Sequence, residues 1–351
     1  MSKEVFKGRG AHIEPDNPYL KRKVTIAHIE GVDEEQYQDK PTTKFYKEQT
    51  KGALSKNDSP DLPLDYSVNP YQGCEHGCIY CYARNSHQYW GFDAGLGFET
   101  NIMVKSNIVE VLRKQLKAKN HVVSPIMLSG NTDCYQPAEK QYALTRKILE
   151  LCLELRHPVS IVTKNTLIKR DEDIILQLAK LNLVHVYFSI NHLDNQLKAL
   201  LEPRTATAEK KINTMAAFSS KGIPCGVMVA PIIPALNTAD IAKIIQKTAK
   251  AGALNAGYTV VRLNGNVKKV FTNWLEENFP DRSEKIMHQI EELHGGKLND
   301  TEWGRRIKGS GAIAHMIDRI FTTSKDKFMK GRSMPAFDLS KFSPHGQMRL
   351  F

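Results

Sequence analysis

From about residue 66 onward, short apolar runs alternate with amphipathic stretches, whereas residues 1–60 are polar, charged and without hydrophobic period. Short apolar, β-branched runs bounded by Gly, Pro, Asn or Asp read as strands. They fall at 66–72, 125–130, 158–163, 184–190, 224–231 and 257–263. Between them, apolar residues recur at helical spacing. Ile108, Val111, Leu112 and Leu116 share one face, as do Leu144, Ile148, Leu151 and Leu155, then Ile174, Ile175, Leu178 and Leu181. Met215 with Phe218, and Ile241 with Ile244 and Ile245, continue the series. Asn107 with Glu110 predicts a capping box, and the acidic start "RDED" suits the positive end of a helix dipole.

Six strands at intervals mostly near 30 residues imply repeated βα units and a parallel sheet. Right-handed crossovers either curl such units into an open partial barrel or spread them as a doubly wound sheet. Both arrangements collect ligands at the C-terminal ends of the strands. Those ends are polar: a cysteine loop, then "SGNTDCYQP", "TKN", "SINH", "PIIP" and "RLNGN". After residue 265 the pattern turns helical and basic. The expected organisation is an N-terminal extension (1–60), the βα core (61–265), a C-terminal helical segment (266–343) and a flexible tail (344–351). Within the extension, "KGRGAHIEPDNPY" reads chiefly as a solvated tail, with Arg9 a candidate phosphate contact.

At 351 residues and 41% apolar content, the chain supports one large core or two smaller ones. Lys and Arg outnumber Asp and Glu by 49 to 38, and the resulting +11 permits contact with polyanions such as nucleic acid. The N-terminus lacks the apolar core of a signal peptide. The longest apolar run, "CGVMVAPIIPAL", is too short for a membrane span. A cytoplasmic protein is expected, and in that reducing compartment clustered cysteines are a metal or redox site before they are a disulfide frame.

Cys74, Cys78 and Cys81 occupy the stretch "YQGCEHGCIYCYAR" in the spacing C-x3-C-x2-C. Zinc is one reading, with His76 or His87 as a fourth ligand, although a second C-x2-C pair is missing. A [4Fe–4S] cluster is the other: three thiolates hold three irons and leave the fourth open for a chelating cofactor. At this point the text resembles the radical S-adenosylmethionine superfamily. Over residues 66–265 the stretches "NPYQGCEHGCIYCYAR", "SGNTDCYQP", "TKN", "LEPRTAT" and "APIIPALN" are similar to its spore photoproduct lyase-related branch.

The resemblance implies a partial (β/α)6 TIM-like barrel flanked by the N-terminal extension and the C-terminal helical segment. It also implies that S-adenosylmethionine chelates the open iron of the cluster on Cys74, Cys78 and Cys81, that an external electron donor reduces the cluster, and that cleavage yields a 5′-deoxyadenosyl radical. Ser129 and Gly130 match the small residues that make room for the methionyl amine. Lys164 and Ser189 would bind the cofactor's carboxylate and ribose, with Arg204 as second carboxylate partner or as a salt bridge to Glu202. Tyr80 would pack near the adenine and Tyr82 reach the radical, unless both simply cover the cluster. That branch uses a cysteine near strand two as hydrogen-atom donor. Cys134 is the local candidate, expected on the same rim, although the best-aligned position holds Gly130. Cys152 and Cys225 read as core residues.

The last five residues, "QMRLF", look like the pentapeptide by which many bacterial repair and replication proteins dock onto the sliding clamp, with Gln347 at the rim of a pocket filled by Met348, Leu350 and Phe351. With the positive charge, this tilts the expected substrate towards nucleic acid and a repair-like lyase. The alternatives are radical chemistry on a small molecule, peptide or RNA, and a zinc-stabilised nucleic-acid-binding protein.

Overall fold

The computed structural model describes residues 8–20, 41–61 and 64–345. Gln347, Met348, Leu350 and Phe351 of the expected clamp motif lie outside the described residues. Ten strands run in chain order: β1 (Lys44–Glu48), β2 (Ser55–Lys56), β3 (Tyr66–Val68), β4 (Tyr71–Gln72), β5 (Asn101–Lys105), β6 (Ile126–Leu128), β7 (Val159–Thr163), β8 (Val184–Ser189), β9 (Cys225–Ile232) and β10 (Asn255–Val260). The larger sheet places β3, β6, β7, β8, β9 and β10 side by side in chain order, all parallel, with β2 antiparallel on the outer edge of β3. A doubly wound sheet reverses its strand order at a switch point. This sheet has no reversal, so every βα unit steps in the same direction.

Each of the six expected strands contributes to this sheet, but the first is split. Residues 66–72 read as one run; β3 ends at Val68 and β4 belongs to a separate three-stranded sheet, ordered β1-β5-β4. Asn69-Pro70 lies at the break. Pro70 has no N–H to offer a ladder, while its carbonyl accepts from Lys105 N at 3.2 Å. The chain thereby leaves the large sheet just before the cysteine loop.

The helical stripes face inward as their spacing predicts. Ile108, Leu112 and Leu116, Ile148 and Leu155, Ile175 and Leu178, Met215 and Phe218, and Ile241, Ile244 and Ile245 are all buried in one core with the parallel strands. Three helices, Val267–Asn278, Ser283–Leu293 and Gly311–Met329, follow the last strand. The capping box at Asn107 is not formed. Its amide instead clamps the chain leaving β1, accepting from Thr50 N at 2.8 Å and donating to Thr50 O at 3.0 Å. Among the described residues, no helix is long and apolar enough to cross a membrane.

The described N-terminal residues are not a solvated tail. Gly10 and Ala11 are buried, and Arg9 donates to the carbonyls of Glu99 and Pro41, both at 2.9 Å. The approach is so close that a Cβ on Gly10 would stand 1.9 Å from the carbonyl oxygen of Gly77. Only glycine fits there. Arg9 is thus spent on backbone carbonyls rather than on phosphate.

Candidate active site

The cysteine loop runs from β4 to a 3-10 helix, Tyr82–Trp90. Cys74 and Cys78 are buried and Cys81 half-buried, and all three are free thiols. Burial pushes each thiol up, so none ionises readily without a cation beside it. Two residues that sequence reasoning passed over hold the loop in shape. Arg84, wholly buried, donates from Nε to Cys78 O at 3.0 Å and from Nη1 to the carbonyls of Ala94 and Gly95 at 3.1 and 2.8 Å. Its Nη2 meets Glu99 Oε1 at 2.6 Å, and neither side chain is exposed. Glu99 in turn accepts from Gly10 N at 3.0 Å and Ala11 N at 2.8 Å. The N-terminal segment, the ion pair and the cysteine loop form one unit.

On the other side the loop is tied to the strand ends. Ile79 N donates to Leu201 O at 3.1 Å, and Arg204 N to His76 O at 3.3 Å, so the "LEPRT" turn lies against the cysteines. There the structure joins several expected residues. Lys164 Nζ donates to Ser189 Oγ at 2.8 Å, contacts Ala230 O at 3.3 Å and pairs with Glu202 Oε1 at 3.0 Å. Tyr80 is buried, donates its hydroxyl to Glu202, and has the Lys164 ammonium 5.6 Å from its ring centroid. Behind them the buried Lys211 donates to the Ser189 carbonyl at 2.8 Å.

Burial opposes ionisation of Glu202, yet Lys164 and Lys211 hold its carboxyl well below the usual range. Burial lowers the Lys211 ammonium to about 8. Two ammonium groups thus face the Glu202 carboxylate, with Asp133 a second carboxylate near Lys164. Glu202 and Lys211 were not singled out as site residues. Lys211 had a visible signal: it shares a helical face with Thr214, Met215 and Phe218, all buried. A lysine on an apolar stripe is a lysine with a buried partner.

The remaining expected residues divide. Ser129 follows β6 with a left-handed backbone (φ 75°), its Oγ accepting from Cys134 N at 2.8 Å. Gly130 follows; a Cβ there would meet Ser67 Cβ at 2.7 Å, and its carbonyl accepts from the half-exposed Tyr82 hydroxyl. Asp133 ties strand ends together, accepting from Thr163 Oγ1 at 2.8 Å and Lys164 N at 2.7 Å. Cys134 is not on the rim. It is fully buried in the main core, its carbonyl held by Thr145 Oγ1 at 2.6 Å, because Thr132, Cys134 and Tyr135 all turn inward after the β6 turn. Arg204 pairs with Glu75 at 3.3 Å and not with Glu202, whose carboxylate Lys164 has taken. Cys152 and Cys225 lie in the core as expected. Neither histidine joins the thiols: His76 Nε2 meets Asn165 Nδ2 at 3.1 Å, and His87 stacks on Phe92.

Comparison with known proteins shows the family and the fold. A protein of Mycobacterium tuberculosis without assigned function is 35% identical over 240 residues, 68% of this chain and 71% of that one. The Radical SAM Nalpha-GlyT isomerase of Pseudomonas phage M6 is 23% identical over 287 residues, 81% of this chain and 57% of its own. Spore photoproduct lyase complexed with dinucleoside spore photoproduct has the same fold, with a TM-score of 0.61 at 16% identity over 82% of this chain and 80% of that one. Residues 68–248, more than half the chain and including the cysteine loop and β4 to β9, match the Radical SAM superfamily, and the protein is an enzyme belonging to that superfamily.

Proposed function

We propose that the protein binds a [4Fe–4S] cluster on Cys74, Cys78 and Cys81 and S-adenosylmethionine against the strand ends, and acts on nucleic acid. The observation that carries the cofactor reading is the meeting of three buried thiols with a strand-end network holding two lysines against one carboxylate. The donor set fits an iron–sulfur cluster, which spreads its thiolates over separate irons. It fits zinc poorly, since among the described residues no three His, Cys, Asp or Glu side chains gather as a site for one ion. The six parallel strands in chain order support a partial (β/α)6 barrel whose C-terminal rim is this site.

When bound and reduced, such a cluster supplies the electron that splits the cofactor's C5′–S bond and yields a 5′-deoxyadenosyl radical. The chain's residues bind, orient and exclude. Lys164 and Ser189 would take the carboxylate and ribose, with Lys211 reinforcing the positive field from behind. Ser129 and Gly130, small residues just after β6, would leave space for the methionyl amine. Tyr80 walls the site from beneath. Arg84 and Glu99 hold the thiol loop in register without touching the cofactor. Tyr82, half-exposed beside Cys81, faces the substrate side.

Nucleic acid as substrate is supported by the charge of +11 and by the dinucleoside bound in the structurally similar lyase. The test is anaerobic reduction with S-adenosylmethionine, alone and with DNA or RNA, followed by assay of 5′-deoxyadenosine. Stimulation by nucleic acid supports the reading; cleavage stimulated only by peptides or small molecules overturns it.

Lys164→Ala is expected to weaken S-adenosylmethionine binding by about 1–3 kcal/mol, the worth of a hydrogen bond to a charged group, with iron content unchanged. Calorimetric titration of the reconstituted protein checks this, and unaltered affinity removes Lys164 from the site.

A further inference from the structure

Lys164 has no proton to spare. Its ammonium carries three, and each has an acceptor: Ser189 Oγ at 2.8 Å, Glu202 Oε1 at 3.0 Å and Ala230 O at 3.3 Å. The lysine side chain is only 16% exposed, and Glu202 beside it is sealed from solvent. The residue read above as the holder of the cofactor's carboxylate is therefore already engaged by a carboxylate of the chain itself.

Charge decides which of the three bonds gives way to a ligand. Ser189 Oγ and Ala230 O are neutral, and the serine also donates to that carbonyl at 3.1 Å. A second carboxylate added while Glu202 stays would set two anions against one buried ammonium, and like charges at one site oppose each other's ionisation. Asp133, the other carboxylate near Lys164, is fully occupied, accepting from Tyr135 N, Thr163 Oγ1 and Lys164 N at 2.7–2.8 Å. Glu202 is the group that the lysine can leave without stranding a buried charge. It keeps the Tyr80 hydroxyl on Oε1, accepts from Thr205 Oγ1 at 3.3 Å on Oε2, and stays in the field of the buried Lys211. The movable partner is Lys164, whose ammonium sits on a flexible four-carbon stem.

We propose that Glu202 is an internal stand-in for the cofactor's carboxylate, holding Lys164 and yielding it only to a ligand that brings a carboxylate of its own. The exchange replaces one anion by another on the same ammonium, so Lys164 is never left buried and unpaired. An adenosine derivative without a carboxylate cannot make the exchange and meets a lysine already bound. Glu202 is thus a positioning residue that sets ligand specificity through Lys164. The inference rests on the reading of Lys164 under Proposed function and adds to it the group that competes for that lysine.

The test is calorimetric titration of full-length reconstituted protein with S-adenosylmethionine and with decarboxylated S-adenosylmethionine, which keeps the sulfonium and the amine. Glu202→Gln is expected to bind S-adenosylmethionine about tenfold more tightly than the parent, the ratio a hydrogen bond to a charged group supports. The decarboxylated analogue should bind it no more tightly than it binds the parent. In a Lys164→Ala background, Glu202→Gln should leave both affinities unchanged. Glu202→Asp keeps the charge but is one methylene shorter, and carries the same expectation should Glu202→Gln fail to fold or load iron. Unchanged or weaker S-adenosylmethionine binding, equal tightening of both ligands, tightening that persists without Lys164, or loss of the fold in both variants would each overturn the inference. Failure of the underlying reading shows separately, as unaltered S-adenosylmethionine affinity in Lys164→Ala alone.

Discussion

Replacing Cys78 by Ala is expected to abolish S-adenosylmethionine cleavage and to lower bound iron from about four per chain to a trace. Cys78 is the middle of the three thiols, buried, with its carbonyl fixed by Arg84 Nε at 3.0 Å. Removing its sulfur leaves two ligands for a cluster that needs three from the protein. The loop around it loses nothing else, because its backbone bonds to Leu201 and Arg84 do not involve the thiol. Cys152→Ala is the matched control: that thiol is equally buried but sits on a helix in the core. It should cost some stability and keep full iron. Iron and sulfide assays after anaerobic reconstitution, with chromatographic detection of 5′-deoxyadenosine, read both variants. Full iron in Cys78→Ala, or one equivalent of zinc and no iron in the parent, would refute the cluster assignment.

Glu99→Ala is expected to destabilise the fold by about 3–5 kcal/mol, the cost of breaking a buried ion pair from one side. The carboxylate is the only anion in contact with Arg84 among the described residues, at 2.6 Å, and both groups are fully buried. Without it, a guanidinium is left unpaired in the interior. The N–H groups of Gly10 and Ala11 also lose the acceptor that pins the N-terminal segment to the loop. Replacing the pair together, Arg84→Met with Glu99→Leu, should cost less than Glu99→Ala alone, because no charge is stranded. Urea unfolding of the two variants gives the comparison. A loss below about 1 kcal/mol for Glu99→Ala would show that the pair does not anchor the loop.

What this chain's sequence determined by itself is what neighbours along the chain decide. Periodicity is such a property, so the six parallel strands and the buried faces between them were readable to within a few residues. The proximity of the three thiols was readable for the same reason: three cysteines in eight positions are kept together by the local chain, wherever the rest goes. Even the departure at 66–72 carried its sign in Pro70, although only the second sheet gave that proline a reason.

Tertiary structure alone decided the pairings. Glu99 reaches Gly10 across 89 positions, and Lys164 meets Glu202 across a βα unit. The salt bridge weighed between Arg204 and Glu202 is therefore made to Glu75 instead, and Cys134, expected on the rim, is buried in the core. A carboxylate or a thiol reads the same in one dimension whether it is solvated or sealed. Its ionisation, reach and role are set by the groups packed against it, and those come from elsewhere in the chain.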